Sequence, residues 1–268
     1  MDTLDDNIFT YCICPYLTGK IIDDILLVDK HYNKVVKSDM KHLYKLFWKV
    51  IDRVSDETKN QEVYKDEKLE GTQLCWYLNG KLKSKLFYKE GKRQGEQLIW
   101  YSSGQLMCKC FDKDGKMDDE QLSWHPNGQL KSKQFLIYGV REGEQLSWFD
   151  DGKLNSKNDF KNGEMDGEQI FWYEDGQLES KLFYKDGKKE GEQLFWFEDG
   201  QIMCKLFHKE GKQDGEQLKW HRNGQLCCKS FYKDGKLEGE QLWWYRSGTL
   251  SSRRFYNDGK LEGEIVNY

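Results

Sequence analysis

From Gly71 to Glu262 the apolar and polar positions repeat every 24 residues, through eight units without an insertion. Each unit reads G-E-Q-L-x-W-(Y/F/H)-x-x-G-(Q/K)-L-x-(S/C)-K-x-F-Y-K-x-G-K-x-x, and eight of the ten tryptophans fall in one column, Trp76 to Trp244. A fixed period in this range marks a repeat architecture in which each unit is one supersecondary element stacked on its neighbours. Within a unit two runs rich in aromatic and branched residues, such as Gln73 to Tyr77 and Lys81 to Tyr88, are bounded by glycine turns, which predicts two strands and two hairpin turns. Stacked eightfold, the units predict an antiparallel meander of about sixteen strands, with strands about 4.8 Å apart.

The first loop can be chosen by asking which pairing sorts the side chains. A two-residue Asn79-Gly80 loop sets Trp76 against Lys83, whereas a three-residue loop with Gly80 in the left-handed region sets Trp76 against Leu82 and Leu74 against Ser84. The second choice puts Leu74, Trp76, Leu82, Ser84 and Leu86 on one face, with the Trp column as packing core. Gln73, Tyr77, Lys83, Lys85 and Phe87 then share the other face, where the aromatic column Tyr77, Tyr101, His125, Phe149, Tyr173, Phe197, His221 and Tyr245 is the candidate binding surface. Two units depart from the pattern: Asp119 stands where the others begin with Gly, and Gln134 to Tyr138 replaces a polar second turn. Asp159 then occupies the Phe column. These departures read as drift in a tolerant array or as a bend or contact point near its middle.

The unit resembles the MORN repeat, in the variant where G-x-x-x-x-W/Y-Y-x-x-G-x-L and F/Y-Y-x-x-G-K-x-x-G alternate. The resemblance covers residues 63 to 268, eight full units at 71–262 with half units at each end. It implies a mainly β, elongated meander of hairpin repeats and the roles attributed to such arrays: scaffolding, dimerisation, protein binding or contact with membrane lipid.

Before Glu62 there is one glycine, Gly19, and apolar residues switch to helical spacing. Leu4, Ile8, Phe9, Cys12 and Ile13 form one stripe, ended by Pro15; Ile21, Ile22, Ile25, Leu26 and Val28 form another, and a last helix from about Asp39 would carry Leu43, Phe47, Val50, Ile51 and Val54. A small helical domain is expected over residues 1–58. The order of these residues resembles an F-box: Leu4 to Phe9 matches its opening, Tyr16-Leu17 the next segment, and Val28, Lys30 and Tyr32 fall in the third. Asp5 replaces the usual proline. The combination is similar to F-box/MORN proteins of large DNA viruses of amoebae. By that resemblance, Leu4, Ile8, Phe9, Tyr16, Leu17, Val28, Lys30 and Tyr32 would dock the Skp-type linker of a cullin ubiquitin ligase while the repeats hold a target protein. The rival is a scaffold without a ubiquitin role, its helical segment capping the open sheet edge.

Charged residues make up 33% of the chain and aromatics 15%, too polar for a thick core and too aromatic for a disordered chain. A formal charge of −4 argues against a nucleic-acid binder. The chain has no run of about 18 apolar residues and no basic leader before an apolar stretch, so a cytosolic location is expected, the host cytoplasm if the protein is viral. The basic column Lys85 to Arg253 could meet membrane lipid, but a glutamate column, Glu96 to Glu240, is placed to neutralise it. Of the eight cysteines, Cys108, Cys204 and Cys228 share a column with serines, which reads as small space-filling residues in the reduced state. Cys12-x-Cys14 and Cys108-x-Cys110 lack the spacing and histidines of a zinc site. No phosphate loop, nucleophile elbow or metal motif occurs, so neither an enzyme nor a cofactor is expected.

Overall fold

The computed structural model describes residues 48–54 and 58–267. The F-box-like residues from Leu4 to Tyr32 lie outside them. Twenty-six strands join in one antiparallel sheet. A unit has three of them, as in Gly95–Trp100, Leu106–Lys113 and Lys116–Met117; the expected pair of long strands is joined by a two-residue strand after the second turn.

The first turn takes the expected form. The Tyr101 amide donates to the Gln105 carbonyl at 2.9 Å, the Gly104 amide donates to the Tyr101 carbonyl at 2.8 Å, and Gly104 has φ +93°. This is a three-residue loop closed by a left-handed glycine. The second turn is tighter. Asp112 pairs with Met117 and Lys113 with Lys116, which leaves Asp114 and Gly115 alone in the loop with φ of 52° and 83°, the two positive angles of a type I′ turn.

A third special position opens each unit, where the short strand kinks into the next long one. Glycine holds φ between 65° and 100° there from Gly71 to Gly263, and Asp119 holds 66° in the same place. The Asp119 carboxylate accepts the Glu120 amide at 2.8 Å. Short polar side chains tolerate this region by such local bonds, so Asp119 keeps the backbone conformation of the glycines it replaces.

The register between the long strands differs from the expected one in its second half. Trp76 does face Leu82, but the pairing shifts by one residue between Cys75 and Trp76, so Leu74 faces Lys85 and Gln73 faces Leu86. The same shift recurs in the following units, for example between Phe195 and Trp196. Directly opposed residues share a face. Leu74 and Trp76 therefore lie with Lys85 and Phe87, while Gln73 and Cys75 lie with Ser84 and Leu86. One extra residue on the second strand, Lys83, is a β-bulge, and no hydrophobic pattern announces it.

The expected core is corrected too. Every tryptophan of the column is half-buried, and the buried apolar residues among those described are Leu136 and Cys204. The largest fully buried side chains among the described residues are four glutamines, Gln97, Gln169, Gln193 and Gln241, and Asp112. The described residues form a single layer with no second sheet over it, so among them a tall side chain keeps one flank exposed. A shorter side chain bonded to backbone between tall neighbours is enclosed.

The array also starts earlier than expected. Trp48–Val54 and Thr58–Lys65 are paired strands, with Val50 opposite Val63 and Ile51 opposite Glu62, where the stripe of Val50, Ile51 and Val54 had predicted the end of a helix. Short runs of β-branched residues fit both periods; here an available strand edge decides.

Candidate interaction surface

Four columns of polar side chains tie the units together, and they decide what is left for a partner. The first is the glutamine column, identical in all eight units. Adjacent units share only a short stretch of ladder, Ser84 opposite Ile99 and Lys85 opposite Leu98, because Tyr88 and Lys89 turn away to pair with Arg93 and Lys92. The backbone of Phe87 is left at the fork. Gln97 fills it: the Phe87 amide donates to Oε1 at 2.9 Å, and Nε2 donates to the carbonyls of Phe87, Gln94 and Gly95 at 3.1 Å each. The primary amide supplies both a donor and an acceptor where the ladder has opened, which no hydrocarbon or charged side chain can do. This role was legible as an unvarying position, but its chemistry required the fork.

The second column is the aromatic one expected to bind a target. Tyr77, Tyr101 and Tyr173 donate their hydroxyls to the carbonyls of Trp100, Trp124 and Trp196 at 2.7–2.8 Å, and Nε2 of His125 and His221 lies 2.9 Å from the carbonyls of Trp148 and Trp244. Each clamps its unit to the next. The histidines thus stand in for tyrosine, as their column implied. Phe149 and Phe197 lack a polar tip; the Arg222 guanidinium lies over the Phe197 ring at 5.3 Å. Tyr245 is exposed.

The third column joins the second turns. The carboxylates and amide of Glu70, Gln94, Asp118, Glu142, Asp166, Glu190, Asp214 and Glu238 each accept the turn amide twenty residues on, as when Asp118 Oδ1 takes the Tyr138 amide at 2.7 Å. The fourth is the ion-pair ladder. Lys109, Lys133, Lys157, Lys181, Lys205, Lys229 and Arg253 pair with Glu96, Glu120, Glu144, Glu168, Glu192, Glu216 and Glu240. Hydrogen bonds donated to Glu96, Glu120 and Glu144 raise the ammonium pKa of Lys109, Lys133 and Lys157. The pairs are exposed and contribute little to stability individually, but they cancel the basic stripe.

Exposed apolar side chains, among them Phe111, Phe183, Phe231 and Phe255, are spread along the described sheet, but three fall together at one turn, where the Lys113 ammonium lies over the Tyr138 ring at 5.1 Å. In the other units the residues flanking the second turn are charged or polar, as in Lys113-Asp114-Gly115-Lys116 and Lys185-Asp186-Gly187-Lys188. In the third unit they are Ile137, Tyr138 and Val140, exposed by 47%, 48% and 44%. Leu136, of the same departure, turns inward and is buried. Exposed Met117 sits on the adjoining strand, its carbonyl taking the Gly139 amide at 2.6 Å. Tyr138 has φ +49°, a conformation that costs a bulky side chain strain. The sequence drew attention to Gln134–Tyr138; Val140 belongs to the same island but became visible only when the two-residue turn set it opposite Ile137.

Among the described residues no group of three or more His, Cys, Asp or Glu side chains could hold a metal ion. A cavity of about 180 Å³ beside the fourth unit is lined by Ser147, Ser156, Asn158, Phe160 and Phe171 among others. Ser147 bonds to Ser156 at 2.7 Å and Asn158 to Ser156 at 3.0 Å, while the Gln145 side chain bonds to the backbone of Phe135, Glu142 and Gly143.

No curated protein matches the chain significantly. The MORN repeat variant family matches residues 69–90, 120–137, 141–162, 165–186, 189–210, 213–234 and 237–258, passing over residues 91–119. These segments make up more than half of the sequence and each ends at or just before a second turn of the sheet, so the chain belongs to the MORN repeat variant family.

Proposed function

We propose that this protein is a non-enzymatic interaction adaptor whose repeat array presents the Ile137, Tyr138 and Val140 turn to a target protein. The observation that carries the reading is the island itself: three apolar side chains stand at one turn where the other units place charged or polar ones. Tyr138 is held in a backbone conformation that Asp, Asn or Gly would occupy with less strain. A strained, exposed aromatic flanked by apolar neighbours suits a small docking anchor. The paired ion ladder favours a protein target over a lipid surface, since anionic membranes recognise uncompensated cations.

In the same proposal residues 1–58 deliver the target to a ubiquitin ligase, with Leu4, Ile8, Phe9, Tyr16, Leu17, Val28, Lys30 and Tyr32 contacting the Skp-type linker. Support for this part is the F-box-like order of those residues. The test is comparative capture with the full chain, the triple variant Ile137→Lys, Tyr138→Asp, Val140→Lys, and the double variant Leu4→Ala, Ile8→Ala. The triple variant is expected to lose target proteins and keep the linker; the double variant is expected to do the reverse. Equal target capture by wild type and triple variant removes the island from the function, and a wild-type chain that never retains the linker leaves a scaffold without a ubiquitin role.

A further inference from the structure

The second unit, which the family match passes over, holds two thiols on one face of one strand, whereas the two of the seventh unit, Cys227 and Cys228, are sequence neighbours that point to opposite faces. Cys108 and Cys110 are residues i and i+2 of the strand Leu106–Lys113, so both point to the same face. Cys108 lies opposite Ile99 and Ser123, and Cys110 opposite Gln97. Their sulfurs are 2.6 Å apart and both residues are half-buried. The corresponding pairs elsewhere are Ser84 with Leu86, Ser132 with Gln134, Ser156 with Asn158, Ser180 with Leu182, Cys204 with Leu206, Cys228 with Ser230 and Ser252 with Arg254. Comparing cysteines between units excludes a bridge by distance; the neighbour within the strand is the one in reach.

We propose that Cys108 and Cys110 are a redox modification site, a dithiol that a low-molecular-weight disulfide such as oxidised glutathione closes into a disulfide within the strand. At a rise of about 3.3–3.4 Å per residue the two Cα atoms are about 6.7 Å apart, at the upper edge of the span a disulfide bridges. A disulfide also needs its Cβ atoms about 3.5–4.5 Å apart, closer than residues i and i+2 of an extended strand hold theirs, so closure draws the strand in at Lys109 and strains the bridge. The order of events follows from the local bonds. The hydrogen bond from Cys110 favours the Cys108 thiolate, and its bond to Cys108, then burial and the nearby Asp112 carboxylate, hold Cys110 as a thiol. The Cys108 thiolate attacks one sulfur of glutathione disulfide, forming a mixed disulfide and releasing one glutathione thiolate. Cys110 then gives its proton to solvent and attacks Cys108 Sγ, forming the bond between them and releasing the second glutathione. The protein loses two protons and two electrons, and the glutathione disulfide gains them as two thiols. The second step is intramolecular between atoms already in contact, so it outruns release of the adduct. Because the bridge sits at the limit of its span, reduced glutathione reopens it readily.

The test treats the reduced full-length chain with oxidised glutathione, blocks free thiols with iodoacetamide and digests with trypsin, which cuts after Lys109. The expected result is that the fragments ending at Lys109 and beginning at Cys110 stay joined by a disulfide, while Cys75 and Cys204 are alkylated. In Cys110→Ser the glutathione adduct should persist on Cys108, and in Cys108→Ser the adduct should form more slowly on Cys110, which burial and the Asp112 carboxylate still hold as a thiol. A stable glutathione adduct on Cys108 of the wild-type chain, with Cys110 alkylated, would overturn the proposal. So would alkylation of both at the rate seen for Cys204.

Discussion

Replacing Gln193 by Met keeps the length and volume of the side chain and deletes its amide, so it isolates what the glutamine column contributes. In the wild-type sheet the Phe183 amide donates to Oε1 at 3.3 Å, and Nε2 donates to the carbonyls of Phe183, Glu190 and Gly191 at 3.0, 3.0 and 3.4 Å. The Phe183 carbonyl keeps a second partner, the Glu190 amide at 2.9 Å. The variant therefore orphans the Phe183 amide and strips the Glu190 carbonyl of a donor, in a site with no exposed surface. At 1–3 kcal/mol for a buried unsatisfied group and roughly 1 kcal/mol for a lost bond, the expected cost is about 3 kcal/mol. An internal control exists. Gln169 is equally buried, but the strand Leu154–Lys161 is irregular at Asp159, so its Oε1 takes no donor and Nε2 makes a single bond to the Asp159 carbonyl at 2.7 Å. Gln169→Met should cost only about 1 kcal/mol. Because arrays need not unfold in one step, the assay is amide hydrogen exchange alongside urea unfolding. The Phe183 amide should lose roughly two decades of protection in Gln193→Met, and the Asp159 amide should exchange faster than Phe183 already in the wild type. Equal costs for the two methionine variants, or unchanged protection at Phe183, would refute the claim that the amide closes the fork.

Three further outcomes are expected. Tyr138→Asn should raise stability by about 1 kcal/mol by relieving the positive φ even as it weakens target capture, and a lower melting temperature would show that Tyr138 is held by packing. Trp172→Ala should cost about 1–2 kcal/mol, less than a core tryptophan, because its column is half-buried; a loss above about 3 kcal/mol would restore the core reading. Asp112 exposes 2% of its surface, and burial, eased by Arg93, raises its carboxyl pKa above 3.8. Its ionised form is therefore disfavoured by folding above that raised value, and the penalty vanishes below about pH 4. Asp112→Leu, matching Leu136 in the next unit, should stabilise the chain at pH 7 by more than it does in acid, and thermal unfolding with a gap independent of pH would contradict this.

The sequence alone determined the period, the strand pairs, the three-residue loop at Gly80 and its equivalents, and the family. All of these rest on local rules: glycine where φ must be positive, alternation along a strand, identical units forced to stack identically. The neutralised basic column was also legible, since Glu96 and Lys109 recur at a fixed offset in seven units. Tertiary structure decided the rest. A bulge at Lys83 and its equivalents moved Leu74 opposite Lys85, and a one-residue slip exchanges the partners of a whole strand. In the single layer that the described residues form, the tryptophans are half-exposed flanks and glutamine is the buried residue, because the deepest groups at each fork are backbone amides and carbonyls that need a hydrogen-bonding partner. The aromatic column became a clamp only when a carbonyl of the next unit came within reach, and Val140 joined Ile137 and Tyr138 only when the turn folded them together. Pattern fixes what recurs along the chain, whereas contacts between units depend on how far apart the stacked strands diverge.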